Sequence, residues 1–212
     1  MAPPPRQSVW VVFVAMTGPL NPDDVTRWMR ACVDALGAAR AEIDALNVFP
    51  VADSDTGTNV YLTFEAAASA CAGAVDLATM VPEFVDGALL GARGNSGVIM
   101  AQLLRAVAPE LTGEVDAERV ARAFENASAA AYDAVGTPVE GTILTVARRA
   151  AVRAREIADS GGSLSDVVEG TAAAAREALE HTPDELDRLH DAGVVDAGGR
   201  ALVVVLDATE QV

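Results

Sequence analysis

Two aspartates one residue apart, Asp53 and Asp55, stand at the head of a run of hydroxyl and amide side chains, Thr56-Gly57-Thr58-Asn59. Asn47 precedes them in the same polar stretch. Magnesium prefers oxygen ligands and is commonly held by one or two carboxylates together with the phosphates of a substrate. A glycine among hydroxyls at the start of a helix lets backbone N–H groups approach an anion. The combination points to a hard divalent cation held against the phosphates of a nucleotide. An Asp-x-Asp pair alone would read as a solvated loop or a helix cap; the helix entrance that follows it turns the reading towards metal and phosphate.

A second stretch of this kind, Gly91-Ala92-Arg93-Gly94-Asn95-Ser96-Gly97, opens another apolar helical run. It offers free backbone N–H groups, a hydroxyl donor and a favourable helix dipole to a phosphate oxygen. It suits a sharp turn between packed helices equally well. The lysine of a P-loop is missing, so magnesium, backbone amides and Arg93 would have to balance the charge of a nucleotide.

The elements that must position these turns are helices throughout. Asn21-Pro22-Asp23-Asp24 supplies a cap, a proline at the first helical position and acids where the helix dipole favours them. Val25, Trp28, Met29, Cys32, Val33, Leu36, Ala39, Ile43 and Leu46 then recur at helical spacing up to the polar loop. After Gly57 the pattern resumes and runs to Cys71-Ala72-Gly73; a third helix covers about Leu77 to Leu90, and a fourth Val98 to Val107. A fifth starts near Asp116, with Gly136 to Thr142 interrupting before a sixth from Ile143 to about Ala158. A seventh spans Leu164 to about His181, and Thr182-Pro183-Asp184 begins a short amphipathic turn. Ala201 to Leu206 is β-branched enough for a strand, but no other segment could pair with it, so a buried final helix is expected. The expected fold is all-α, about eight amphipathic helices in one domain over 21–212, after a tail over 1–20.

Composition narrows the function. The chain has 212 residues, a formal net charge of −16 and no lysine, so clustered cations for a phosphate backbone are missing and nucleic acid is not an expected partner. Alanine dominates the apolar half and aromatics are only 4%, which suits helices packed closely through small side chains. No apolar run approaches the roughly 20 residues of a membrane helix. Cys32 and Cys71 both fall in apolar helical patterns and read as reduced core thiols, which with the missing membrane helix places the chain in the cytoplasm. Val9 to Met16 imitates the core of a signal peptide, but the run is short, one arginine precedes it and no cleavage site follows. It reads as a disordered or loosely docked tail, or as sequence ahead of a true start at Met16.

Four stretches together resemble one known family. Asn47-Val-Phe-Pro-Val-Ala-Asp-Ser-Asp-Thr-Gly-Thr-Asn59, Gly91-Ala-Arg-Gly-Asn-Ser-Gly-Val98, Pro138-Val-Glu-Gly-Thr-Ile-Leu-Thr145 and Ala192-Gly-Val-Val-Asp-Ala-Gly-Gly199 are similar, in order and spacing, to the nucleotide-binding (DhaL-like) domain of bacterial fatty acid kinase. That domain is similar in turn to the ATP-binding L subunit of dihydroxyacetone kinase. The resemblance implies an antiparallel barrel of eight helices that binds ATP in loops at one end, with two magnesium ions bridging carboxylates to phosphates. Asp53 and Asp55 would then be the metal ligands and the residues that carry catalysis, with Asn47 a weaker amide ligand. Thr56, Gly57, Thr58 and Asn59 would lie by the phosphates, as would Gly94, Asn95, Ser96 and Gly97. Thr142 and the turn from Asp196 through Gly198 would close the nucleotide site. The family usually reads Pro-Asp-Gly-Asp where this chain has Ala52-Asp53-Ser54-Asp55; both carboxylates survive, and the lost glycine would tighten the loop.

In fatty acid kinase the acceptor is the carboxylate of a fatty acid held by a separate binding protein, so the expected partners are ATP and a fatty-acid-binding carrier or another acceptor-presenting subunit. A homodimer is left open. Three other readings stand beside this one: a dihydroxyacetone-kinase-like phosphotransferase subunit, a nucleotide-binding regulatory module without transferase activity of its own, and a helical carrier of apolar ligands whose polar loops are only structural. His181 and His190 read as surface or capping groups. The arginines from Arg148 to Arg155 read as a solvated face that could also meet an acidic partner.

Overall fold

The computed structural model describes residues 20–210, and the expectations for the N-terminal tail lie outside them. Eight long helices carry the fold: α1 (Pro22–Leu46), α2 (Thr56–Ala70), α3 (Leu77–Gly91), α4 (Gly94–Val107), α5 (Ala117–Asp133), α6 (Ile143–Asp159), α7 (Leu164–Glu180) and α10 (Ala197–Glu210). Two short ones, α8 (Thr182–Glu185) and α9 (Asp187–Ala192), join α7 to α10, and a 3₁₀ turn over Ala108–Leu111 follows α4. No strand occurs among the described residues.

Chain neighbours are neighbours in space. α1 packs on α2, α2 on α3 and α4, α4 on α5, α5 on α6, α6 on α7, and α7 on α10. α10 returns to α1 and closes the ring. Short connections force alternate helices to run in opposite directions, so α2, α4, α6 and α10 all begin at one end of the barrel, the site end, and α1, α3, α5 and α7 begin at the other, the far end. The alanines of α5, α6 and α7, among them Ala121, Ala127, Ala147, Ala154, Ala172 and Ala175, are buried and let these helices approach closely. Bulk is concentrated on the opposite wall, where the rings of Trp28, Phe64 and Phe84 meet edge-on or tilted at 5.8–6.4 Å between centroids.

Two boundaries differ from those read in sequence. α4 begins at Gly94, not Val98, because the glycines that look like breakers form its first turn and leave only Ala92 and Arg93 between α3 and α4. α10 begins at Ala197, not Ala201, since Gly198 and Gly199 are needed within the helix for close packing against Ile143 and Val146 of α6.

Candidate functional site

The loop from α1 to α2 is built by side chains that reach across it. Asn47, buried at the end of α1, donates from Nδ2 to the Val51 carbonyl (2.7 Å), and its Oδ1 accepts from the Thr56 N–H (3.1 Å) and the Thr56 hydroxyl (2.5 Å). One turn earlier, Asp44 accepts from the Thr58 N–H (2.9 Å) and hydroxyl (2.7 Å), and Arg40 donates from Nε to the same hydroxyl (2.8 Å). Gly57 lies against α1 so closely that a Cβ there would stand 2.3 Å from the Arg40 carbonyl oxygen. The loop is thus stapled to α1 from behind, while the side-chain carboxylates of Asp53 and Asp55 make no hydrogen bond or ion pair among the described residues. Asp53 is exposed and Asp55 half-buried. Ser54 between them has φ +55°, in the left-handed region.

The entrance of α4 joins this loop directly. The Thr56 and Ser96 hydroxyls lie 3.4 Å apart, and a Cβ on Gly94, itself at φ +56°, would stand 2.4 Å from the Asn59 amide nitrogen. Thr63 of α2 holds the turn from below, donating to the Asn59 carbonyl (2.7 Å) and accepting from the Arg93 N–H (3.3 Å). A Cβ on Gly97 would collide with that same hydroxyl at 2.5 Å. Gly94 and Asn95 are exposed and Ser96 is half-buried. Neither Asp55 nor Arg93, in the capping positions of α2 and α4, caps with its side chain.

Thr142, Asp196 and Gly198 form a second group, at the starts of α6 and α10. The Thr142 hydroxyl donates to the Val139 carbonyl (2.8 Å) and accepts from the Leu144 N–H (3.3 Å), capping α6. The Asp196 carboxylate accepts from the Gly199 N–H (2.7 Å) and is hydrogen-bonded by the backbone of Ile143 and Gly198, so one buried carboxylate serves both helix starts. Burial pushes its pKa up to about 6 against the pull of those N–H groups. In the turn before α6, Glu140 accepts from Thr145 (2.5 Å), Arg148 (2.8 Å) and Tyr132 (3.0 Å). Burial alone would raise the Glu140 carboxyl, but these donors together hold it below its ordinary value.

The arrangement can do two things. Residues of the first group present two uncommitted carboxylates beside an uncapped helix start, a donor set that suits an oxygen-loving cation and an anion together. Arg40 and Arg93 flank it without an ion-pair partner among the described residues. No three acidic, cysteine or histidine side chains converge among those residues, so a cation here would draw part of its coordination from its ligand or water. Thr56, Thr58 and Thr142, in contrast, spend their hydroxyls on neighbouring protein groups. Sequence reading passed over Arg40, Asp44 and Thr63; the spacing of 40, 44 and 47 on one helical face was the available signal.

The cationic face of α6 does not remain free. Arg148 pairs with Glu140, Arg149 with Glu185 (3.8 Å), Arg153 with Glu156 (3.0 Å), and Arg155 with Glu118 (2.6 Å) and Glu125 (2.7 Å). His181 donates from Nδ1 to the Asp184 carboxylate (3.0 Å) on the surface, and Asp184 raises its pKa. Among the described residues no helix is long and apolar enough to cross a membrane.

The sequence profile of the DAK2 domain matches residues 50–211. An uncharacterized protein of Staphylococcus epidermidis is 40% identical over 169 residues, and one of Staphylococcus haemolyticus 41% identical over the same length; each alignment covers 78% of this chain and 31% of the relative. The chain therefore spans about a third of the length of the curated relatives it matches. Among solved structures, the native dihydroxyacetone kinase of C. freundii superposes with a TM-score of 0.62 at 21% identity, over 91% of this chain and 35% of that one. The same enzyme in complex with AMP-PNP and Mg²⁺ gives a TM-score of 0.62 at 20% identity, over 91% and 34%.

Proposed function

The chain belongs to the DAK2 domain family, and on that premise we propose that it is the ATP- and Mg²⁺-binding domain of a phosphotransferase of the fatty acid kinase type. The observation that carries this reading is the pairing of two unbonded carboxylates, Asp53 and Asp55, with the uncapped start of α4. Asp53 and Asp55 would hold magnesium, whose role once bound is to neutralise phosphate charge. Asn47 braces the loop from behind, because its amide oxygen is already engaged by Thr56. The N–H groups of Gly94, Asn95 and Ser96 would receive phosphate oxygens, with Arg93 and Arg40 adding charge at the edge. Thr142, Asp196 and Gly198 fix the starts of α6 and α10 and so shape the neighbouring wall.

Phosphoryl transfer of this class is mostly positioning and charge neutralisation, and no residue here is needed as a covalent carrier. The acceptor we assign is a fatty acid carboxylate presented by a separate carrier protein. A solved enzyme of similar fold, in complex with AMP-PNP and Mg²⁺, supports nucleotide and metal as the ligands, and it keeps a dihydroxyacetone-kinase-like acceptor as the second reading.

Calorimetry with AMP-PNP tests the site. Affinity should require Mg²⁺ and fall at least about tenfold, 1.4 kcal/mol, in Asp53→Asn and in Asp55→Asn, with Tm unchanged. Magnesium-dependent affinity that survives both substitutions sinks the metal assignment. Transfer from labelled ATP to a carrier-bound fatty acid, rather than to dihydroxyacetone, separates the two acceptors.

A further inference from the structure

In a chain of net charge −16, α4 is the one long helix among those described that carries no acidic residue, and arginines stand at its entrance and in its last turn, Arg93 and Arg105. Both are exposed, and neither has an ion-pair partner among the described residues. The arginines of α6 are more numerous, but each is matched by a carboxylate. Arg30, Arg40 and Arg188 have no ion-pair partner among those residues either, yet they share their helices with acids such as Asp34, Asp44 and Asp191. On α4, Asn95, Val98, Gln102 and Arg105 follow one another at helical spacing. All but the half-buried Gln102 are exposed, so they form a solvent-facing strip with Arg93 at its head. Apolar side chains gather beside it. Val98 is 43% exposed, Leu90 at the end of α3 is 90% exposed, and Val51, in the loop that carries Asp53, is 62% exposed. The other exposed large apolar residues among those described are Val75, at the far end, and Val152, on α6.

Aliphatic side chains and arginine without acids make the composition of a protein–protein interface at its centre. The strip also begins at the helix start proposed to receive phosphate. A nucleophile must come within about 3–3.5 Å of the atom it attacks, so a protein that presents the acceptor has to cover the border of that site, where Val51, Leu90 and Val98 stand. We propose that Leu90 and the α4 strip from Arg93 to Arg105 are the docking surface for the acceptor-presenting protein, which meets them with carboxylates set around an apolar contact. Charge selects this occupant over a second copy, because a two-fold contact of the strip on itself would bring arginine against arginine. The inference rests on the reading of the site end as the place where ATP binds.

Two purified acceptor-presenting proteins serve as probes, a fatty-acid carrier loaded with palmitate and a dihydroxyacetone-binding subunit, each titrated calorimetrically into the full chain with AMP-PNP and Mg²⁺. The carrier is expected to bind, less tightly as salt is raised, and at least about tenfold less tightly to Leu90→Ser and to Arg105→Glu. Affinity for AMP-PNP, the Tm, and carrier binding to Val75→Ser should all match the parent chain. Binding to neither protein overturns the proposal, as does binding that both Leu90→Ser and Arg105→Glu leave intact. Self-association by sedimentation, or binding to phosphatidylglycerol vesicles, that the same two variants abolish also overturns it, by giving the strip to a second copy or to a lipid surface. Variant-sensitive binding of the dihydroxyacetone-binding subunit alone upholds the docking surface and assigns the second acceptor. Variant-sensitive binding of the carrier without transfer from labelled ATP to palmitate upholds the surface and sinks the kinase reading instead.

Discussion

Ser54 occupies a left-handed conformation, φ +55°, between the two carboxylates proposed to hold magnesium. Side chains other than glycine meet the following carbonyl there, at a cost of roughly 1–2 kcal/mol. The position therefore favours glycine, and the resemblance read in the sequence could flag a departure here but not its cause. Ser54→Gly should stabilise the fold by about 0.5–1 kcal/mol, the relieved strain less the extra freedom glycine gains when unfolded. Urea denaturation measures it; a net loss would mean that the hydroxyl holds the loop in some other way. At this scale sequence revealed which residue types congregate, and much less about which were free. Asn47, Thr56 and Thr58 belong to the same polar stretch as Asp53 and Asp55, yet their polar atoms are consumed by one another and by Asp44 and Arg40. Such mutual satisfaction depends on side chains meeting across the α1–α2 turn, and one-dimensional spacing does not carry it.

Helix starts are the elements that matter most. Asp196 ties two of them, α6 and α10, through a carboxylate buried without a cationic partner among the described residues. Its pKa of about 6 lies above the ordinary 3.8, so the folded chain binds its proton more tightly than the unfolded chain does. Stability from this group is full below about pH 4 and is lost as the pH rises through about 6, by roughly 3 kcal/mol in total. Asp196→Asn cannot titrate. Denaturation curves at pH 4 and pH 7 should show the variant gaining on the parent by that order as pH rises; an unchanged difference would mean that the carboxylate is equally at ease charged in both states. The long helices themselves were legible from apolar periodicity and capping residues, Asn21 to Asp24 being the clearest case. The start of α4 was not, because glycine signals a break by propensity, whereas here Gly94 and Gly97 are required by the closeness of Asn59 and Thr63.

Across the whole molecule the two ends of the barrel are finished differently. At the far end all four helix starts are capped by their own side chains: Asn21, Asp76, Asp116 and Ser163, the last in a reciprocal capping box with Asp166. At the site end, α2 and α4 have no such caps. Asp76→Ala and Asp116→Ala should each lower stability by about 1 kcal/mol and leave AMP-PNP affinity unchanged, as read by thermal denaturation and calorimetry. A loss of affinity with either would mean that the ends are coupled. The all-α class and eight-helix count were visible in sequence because each amphipathic stripe faces a shared interior; the closing of the ring was not, because it depends on contacts between residues more than 150 positions apart. Those contacts are Glu42 to Arg200 (2.7 Å) and Trp28 to Thr209 (2.9 Å). With α10 returned to α1, and Leu20 and Thr209 walling one cavity, the helices form a cycle in which every long helix has a neighbour on both sides. Their order around that cycle is the same wherever the covalent chain is interrupted, so the architecture is closed under circular permutation.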